Sequence, residues 1–501
     1  LALADERDKA FPCRPSRRAA LPGLAAHAVG SRNSEALVIL LRYAQDKDET
    51  PARERVRRGW PEQSAGARSL TEVVLAATVL AGLACLATFF ALYAYLPSPF
   101  FADKGESLMD WFETAYWSRT PGAYSRWGSV YPPLSFVVAR VFSSPACYLH
   151  SSKLARLCDP WSPAILVGFL AIGIGTTLFA LRRPAGANAV PRTIALCLGS
   201  SMLYGLERGN MVLLAYPFFV LGFSKALRSG WLRIACAAVA LNLKPYLLLS
   251  GVGWLARRRW AWLASLFAAG AGVYLASWAA FGSGSPLEVM RNMVVPLQVP
   301  AHAGLDLMGF SSSYDSLLIV LATPGQFPFA IGSGAMVALR LCVFVLLSAG
   351  WIGWWTCCLG AARRPSVLSS QRLAAISLAV LFSICTPGGY SVIFLLFLVF
   401  LERWEGLARK IALVSAYLWC IPFDAPLTVL GHHAGYSFLA DRIVSQQTVL
   451  TLGELVRPAL VLAIEFSLIA ASLSDLRRGW RIEQTLQGPP YPEAAPSRAA
   501  A

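Results

Sequence analysis

The amino-acid sequence predicts an all-α polytopic membrane protein, with about ten to twelve helices crossing a bilayer and an outer-face first loop bearing interfacial helices. Three observations carry that expectation. First, 56% of the 501 residues are hydrophobic and only 14% are charged, a balance foreign to soluble enzymes, and the mean hydropathy is +0.52. Second, the apolar residues fall in blocks of about 15–25, the length a helix needs to cross hydrocarbon. Backbone groups inside lipid must be satisfied within their own segment, so such blocks should be helical. Third, the blocks are continuous runs without ten-residue alternation, which argues against a transmembrane β-barrel.

The net charge of +16 is dispersed in short clusters beside the apolar blocks: Arg182-Arg183, Arg257-Arg258-Arg259, Arg363-Arg364, Arg409-Lys410 and Arg477-Arg478. This positive-inside pattern sets topology and needs no polyanionic partner, so no nucleic acid is expected. The 11 cysteines form no CxxC pair and hold no ligand spacing with the five histidines, so no zinc site is indicated. Most cysteines sit in apolar blocks, where a buried thiol is the plain reading. Cys147 and Cys158 flank a polar linker, where a disulfide can form if the linker faces an oxidising compartment.

In chain order, residues 1–69 are mixed in charge and rich in Arg and Ala, and read as a disordered cytoplasmic extension or a mis-called start. Residues 70–478 form the transmembrane domain, and 479–501 a polar, Pro-rich, disordered cytoplasmic tail. The first helix runs from about Leu70 to Leu96 and ends at Pro97. Arg-rich sequence before it places its start in the cytoplasm and Asp103–Pro133 outside. Within that loop, Glu106–Ser118 has the pattern of an amphipathic helix with Leu108, Trp111, Phe112 and Tyr116 towards the membrane interface. Tyr131-Pro132-Pro133 stops one helix and starts the next. Leu134–Tyr148 is expected on the outer surface, because a crossing there would deliver Arg182-Arg183 outside.

Trp161–Leu181 then runs inward, Arg192–Leu206 outward and Met211–Leu227 inward. Trp231–Leu255 is broken by Lys244-Pro245, and a bent hairpin keeps both of its basic flanks cytoplasmic. Trp260–Phe281 leads to an outer loop, Gly282–Phe310. Ser316–Ala322 is too short to cross alone, and Ala335–Cys358 returns to Arg363-Arg364. Leu373–Cys385 and Tyr390–Leu401 flank a Thr386-Pro387-Gly388-Gly389 turn. Ile411–Leu430 runs outward, Gly431–Thr448 forms an outer loop, and Leu452–Leu473 ends inside.

Under this topology polar residues gather on the outer face: Asp110 with Asp103, Glu106 and Glu113; Glu207-Arg208-Gly209-Asn210; Lys244; and Arg291, Asn292, His302, Asp306 and His432-His433. Ionisable residues at membrane depth are costly, so Arg208 and Lys244 are functional candidates. The chemistry that fits is glycosyl transfer from a lipid phosphate. It needs a carboxylate to take a proton from the acceptor hydroxyl, and Asp110 is the candidate general base, with Asp103 its main rival. It also needs cations to stabilise the leaving phosphate, the task for Arg208 or Lys244. Glu207, Asn210 and Tyr131 complete the substrate-binding candidates, although Tyr131-Pro132-Pro133 is foremost a shape element. The histidine pair lacks partners at metal spacing.

Asp110-Trp111-Phe112, Tyr124 and Tyr131-Pro132-Pro133-Leu134, followed by Arg208-Gly209-Asn210, Lys244-Pro245 and the Arg-Arg-Arg-Trp run, resemble glycosyltransferase family 87. The similarity spans roughly Leu70 to Phe281 and rests on order and spacing. It implies a GT-C fold, the first-loop acid Asp110 as catalytic base, and inverting transfer of a hexose such as mannose from a polyprenyl-phosphate donor to a lipid or glycan acceptor. It also implies an outer active site on a cell inner membrane and no nucleotide sugar. Two departures stand out. Glu207-Arg208-Gly209-Asn210 replaces a frequent Gly-Gln-x-Asn, and Tyr390 follows Pro387-Gly388-Gly389 where the family often has histidine. Two other readings remain: a lipid-linked glycan flippase or other transporter, and a polysaccharide ligase or polymerase. A transporter should show mid-helix charges and repeat symmetry, and a ligase a large late outer loop.

Overall fold

The computed structural model describes residues 69–97, 100, 107–298, 311–322, 331–385 and 387–487. The expected N-terminal extension lies outside them up to residue 68, as do Asp103, Glu106, His302, Asp306 and the tail beyond residue 487.

The chain begins with α1 (Leu70–Tyr93), capped by Ser69, whose hydroxyl accepts from the Glu72 amide. The polar loop after it folds into α2 (Met109–Trp117), α3 (Pro133–Val141) and α4 (Ser152–Cys158), none long enough to span a bilayer. Proline at the first turn of α3 costs no hydrogen bond there. Next come α5 (Trp161–Leu181), α6 (Ala189–Cys197), α7 (Ser200–Arg208), α8 (Val212–Phe223) and α9 (Gly230–Leu243). Past Lys244 a 3-10 stretch, Pro245–Gly251, enters α10 (Val252–Ala256). The rest is α11 (Trp260–Phe281), α12 (Pro286–Gln298), α13 (Asp315–Ala322), α14 (Ser333–Arg363), α15 (Ser370–Ile384), α16 (Ile393–Val399), α17 (Leu407–Trp419), β1 (Pro426–Ser437), β2 (Arg442–Thr451) and α18 (Leu452–Gln487).

Five of these helices are long and apolar enough to cross a membrane: α1, α5, α11, α14 and the Leu452–Gly479 part of α18. Other expected crossings are segmented. Arg192–Leu206 is two helices, α6 and α7, parted at Leu198-Gly199. Gly199 sits against Ala195 O and Cys420, where a Cβ has no room. Trp231–Leu255 breaks at Lys244-Pro245 as expected, since proline carries no N–H to continue a helix. Ile411–Leu430 is helical only to Trp419, and Gly431–Thr448, expected as a loop, lies in the antiparallel β1–β2 hairpin. Val429 faces Val449 and Tyr436 faces Ile443 across it, the β-branched and aromatic pairing that stabilises strands. The described residues are thus mostly helical, as expected, with the β1–β2 hairpin added to the bundle. The helix α18 also continues to Gln487, past Arg478 where a disordered tail was expected.

One end of the bundle is tied by ions. Arg192, 2% exposed, grips the buried Glu72 carboxylate with Nε and Nη2 at 2.7 Å, and Tyr417 adds a hydrogen bond to it at 3.0 Å. Arg192 Nη1 also donates to the carbonyls of Phe400 and Glu402. Beside it, Arg372 and Arg409 share Glu402 and Asp475, while Arg257 donates to Pro365 O and Ser370 Oγ. This is where the basic clusters collect.

The α2 helix corrects another expectation. Trp111 and Phe112 are fully buried in the protein core and do not face an interface. Trp111 Nε1 donates to Ser162 Oγ at 2.8 Å, and Ser162 in turn donates to buried Asp159 at 2.8 Å. A buried indole needs such a partner, so Trp111 ties α2 to α5, while Phe112 stacks on Tyr148.

Candidate functional site

Four breaks in the chain meet at the end of the bundle opposite the ionic cluster. They are the start of α2, the α7–α8 junction, the Lys244 break and the turn at 387–392. Gly209 closes α7 in the left-handed region, φ +65°, and a Cβ there would strike Leu108 O and sit against Trp111. Glycine is therefore what lets α2 approach. Leu108 itself adopts φ +63°, a costly conformation for leucine, held by its amide donating to Glu207 O at 2.6 Å.

That docking places Asp110, in the first turn of α2, against the α7–α8 junction. Arg208 Nη2 donates to Asp110 Oδ1 at 3.3 Å and Asn210 Nδ2 to Oδ2 at 2.5 Å. The same Asn210 amide donates to Tyr131 Oη at 2.8 Å, while its Oδ1 accepts from the Val212 amide at 3.0 Å. Asn210 is fully buried, whereas the side chains of Arg208 and Asp110 keep 16% and 19% exposure. The carboxylate is pinned yet reachable.

Lys244 is buried, with Nζ 4.8 Å from the Tyr131 ring centroid and 5.2 Å from that of Tyr390. Both tyrosine faces attract the ammonium, and among the described residues no carboxylate pairs with it. Burial and the neighbouring Asp110 charge raise the Tyr131 phenol well above its ordinary pKa, so it stays neutral. Its backbone is fixed by Tyr124 Oη donating to Tyr131 O at 2.8 Å. Asn292 of α12 in turn holds the Tyr124 and Ser129 carbonyls at 2.9 and 3.0 Å.

The structure therefore brings together Asp110, Arg208, Asn210, Tyr131 and Lys244. Glu207 accepts from Ser107 Oγ at 2.9 Å and lines a separate pocket towards the hairpin. Arg291 is exposed, Asn292 supports the loop, and His432 and His433 lie on β1, with His433 bonded to Gln446. Among the described residues no group of His, Cys, Asp and Glu could hold a metal ion. Cys147 and Cys158 form a disulfide beside Asp159 in the same layer as α2.

Two residues beside the site are not among the candidates named from sequence: Tyr390 stands out there only as a departure from the resembled family, and Asp159 not at all. Tyr390 stacks on Tyr204, centroids 5.6 Å apart, and covers Lys244. Gly388, φ +93°, leaves the room for the Tyr390 ring to fold back. Asp159 gathers Ser162, Tyr148 Oη and the Ser144 amide, and so anchors Trp111 and with it α2. Its place just before Pro160 and α5 resembles an ordinary helix start.

Long apolar helices, segmented helices that stop at one level, and a polar cluster at their ends define a helical membrane protein with a built polar site. No family model, curated protein or solved structure matches the chain.

Proposed function

We propose that this protein is a multi-pass membrane glycosyltransferase of the cell inner membrane. It moves a sugar, a hexose such as mannose, from a polyprenyl-phosphate donor to a lipid or glycan acceptor at the outer face. The observation that carries the reading is one cluster holding both a reachable carboxylate, Asp110, and a buried ammonium, Lys244, that has no carboxylate in ion-pair contact among the described residues. An ammonium at such depth is costly unless an anionic substrate uses it.

In the reaction, the acceptor hydroxyl oxygen bonds to the sugar's anomeric carbon as Asp110 takes its proton. The bond from that carbon to the phosphate oxygen breaks on the opposite face, and the electron pair leaves with polyprenyl phosphate. Lys244 and Arg208 stabilise the charge that develops there, and the anomeric configuration inverts. Asn210 fixes the carboxylate, and neutral Tyr131 shapes the wall between base and cation.

Helix lengths support the depth this requires. The segments α8, α9 and α15 run from the basic end to the site with 12, 14 and 15 residues. At 1.5 Å per residue they climb about 18–22 Å, short of a hydrocarbon core of about 30 Å. A lipid-borne phosphate reaches such a level. The Cys147–Cys158 disulfide in the layer of Asp110 fits an oxidising outer compartment, and the basic clusters at the other end fit the cytoplasm.

The test reconstitutes the purified chain in liposomes with radiolabelled polyprenyl-phosphate mannose and glucose and a membrane lipid extract as acceptor. Label should move to a new lipid or glycan product with release of polyprenyl phosphate. Label crossing the bilayer with the donor still intact would instead mark a flippase.

A further inference from the structure

One carboxyl inside a membrane-spanning helix belongs neither to the cluster around Asp110 nor to the ionic end. Glu465 stands at the middle of the Leu452–Gly479 span of α18 and is fully buried. Neither of its carboxyl oxygens has a hydrogen-bond partner among the described residues. An acid at such depth is costly, and marks a functional position.

The neighbouring helices form a slot around it. On α14, a Cβ at Gly350 would overlap Glu465 Oε1, so only glycine admits the carboxyl there. Gly353 and Gly360 continue the close approach of α14 against Ile469 and Leu476. On α15, the hydroxyl beside Glu465 is that of Ser383, and its hydrogen goes to Val380 O at 3.0 Å. Towards Glu465 that hydroxyl therefore offers lone pairs, which an O–H can use and a bare carboxylate cannot.

The charged groups on the surrounding helices are engaged elsewhere. On α18, Arg457 lies eight residues outward, bound to Asp424, and Asp475 ten residues inward, bound to Arg372 of α15 and Arg409 of α17. At 1.5 Å per residue these are about 12 and 15 Å away along the helix. Arg363 of α14 and Lys410 of α17 lie at the basic end, Arg340 of α14 is exposed, and Tyr417 of α17 is bonded to Glu72. The thiols Cys342, Cys357 and Cys358 of α14 supply no counter-charge. A metal cation would find too few oxygens in this slot, whereas a proton needs no cavity.

We propose that Glu465 is an intramembrane proton-binding site. Its carboxyl carries a proton while α14, α15 and α18 are closed around it, with the O–H directed at Ser383 Oγ. Release of that proton to water leaves a bare charge in a slot without a donor, and the seam between α14 and α18 loosens to hydrate it. Proton binding does not rest on the transferase reading. A mid-span acid would serve a proton-linked transporter equally, and movement of label from a polyprenyl-phosphate donor, not this site, separates those two readings.

The test is infrared difference spectroscopy between mildly acidic and alkaline pH, on the full chain in phosphatidylcholine nanodiscs, with Glu465→Gln as reference. As pH rises, wild type should lose a carboxylic-acid C=O stretch worth one carboxyl per chain and gain the matching carboxylate bands, and Glu465→Gln should lack both changes. Equal thermal midpoints at mildly acidic pH establish that the variant folds. Amide deuterium uptake reads the seam: at alkaline pH the segment Val345–Trp354 should exchange faster in wild type than in Glu465→Gln, and equally at mildly acidic pH. Identical infrared difference spectra for the two proteins overturn the proton site. Equal exchange at both pH values overturns the loosening of the seam.

Discussion

Asn210 is the residue on which the cluster turns, because one buried amide donates to both Asp110 and Tyr131 while its oxygen is taken by the next helix. Replacing it leaves the carboxylate held by Arg208 alone, at 3.3 Å. Asn210→Leu should lower kcat about 100-fold, the cost of misplacing a reacting group, with the donor KM nearly unchanged in steady-state assays. Lys244 behaves differently. In the proposed reaction the leaving phosphate would lose its buried cation, so Lys244→Met should reduce kcat by about 10²–10³-fold. Single-turnover rates with labelled donor read this directly, and a rate within twofold of wild type would remove Lys244 from the site. Tyr131→Phe deletes only the acceptor of the Asn210 bond and should cost about 1 kcal/mol of stability.

At the scale of elements, how a segment ends matters more than how it runs. The breaks at Lys244-Pro245 and Glu207-Arg208-Gly209-Asn210 are legible in sequence, since proline and a polar tetrapeptide interrupt apolar runs. The burial of α2 is not legible: an amphipathic pattern states which face is apolar but not whether lipid or protein covers it. The hairpin is hidden for a similar reason, its β-branched residues being interspersed with glycine and histidine. The tie between α1 and α6 is invisible because Glu72 looks like any first-turn acid and its partner lies 120 residues on. Arg192→Met leaves the Glu72 charge buried and unpaired, which should cost about 3–5 kcal/mol. A drop in the thermal midpoint of detergent-solubilised protein measures it. The disulfide closes a loop with a sequence separation of 11, so Cys147→Ser should cost about 2–3 kcal/mol, an effect absent once wild type has been reduced.

For the whole molecule, the proposed function depends on the separation of a basic, ion-paired end from a polar, tyrosine-rich end. Positive clusters beside apolar blocks announce this polarity in the sequence, and the helices realise it by starting and stopping at two levels. Single cysteines in a cysteine-free background should therefore divide by side. Ser125→Cys should react with a membrane-impermeant maleimide added outside intact cells, and Arg183→Cys only after permeabilisation. The reverse pattern would place the cluster in the cytoplasm and contradict transfer at the outer face.

The most direct test of the central claim is the Asp110→Asn variant, which keeps the side chain's shape and removes its basicity. Donor binding and turnover should be measured together on labelled polyprenyl-phosphate sugar. The account predicts donor affinity within about threefold of wild type and a transfer rate reduced by about 10²–10⁴-fold. Transfer at the wild-type rate by Asp110→Asn would show that this carboxylate is not the base.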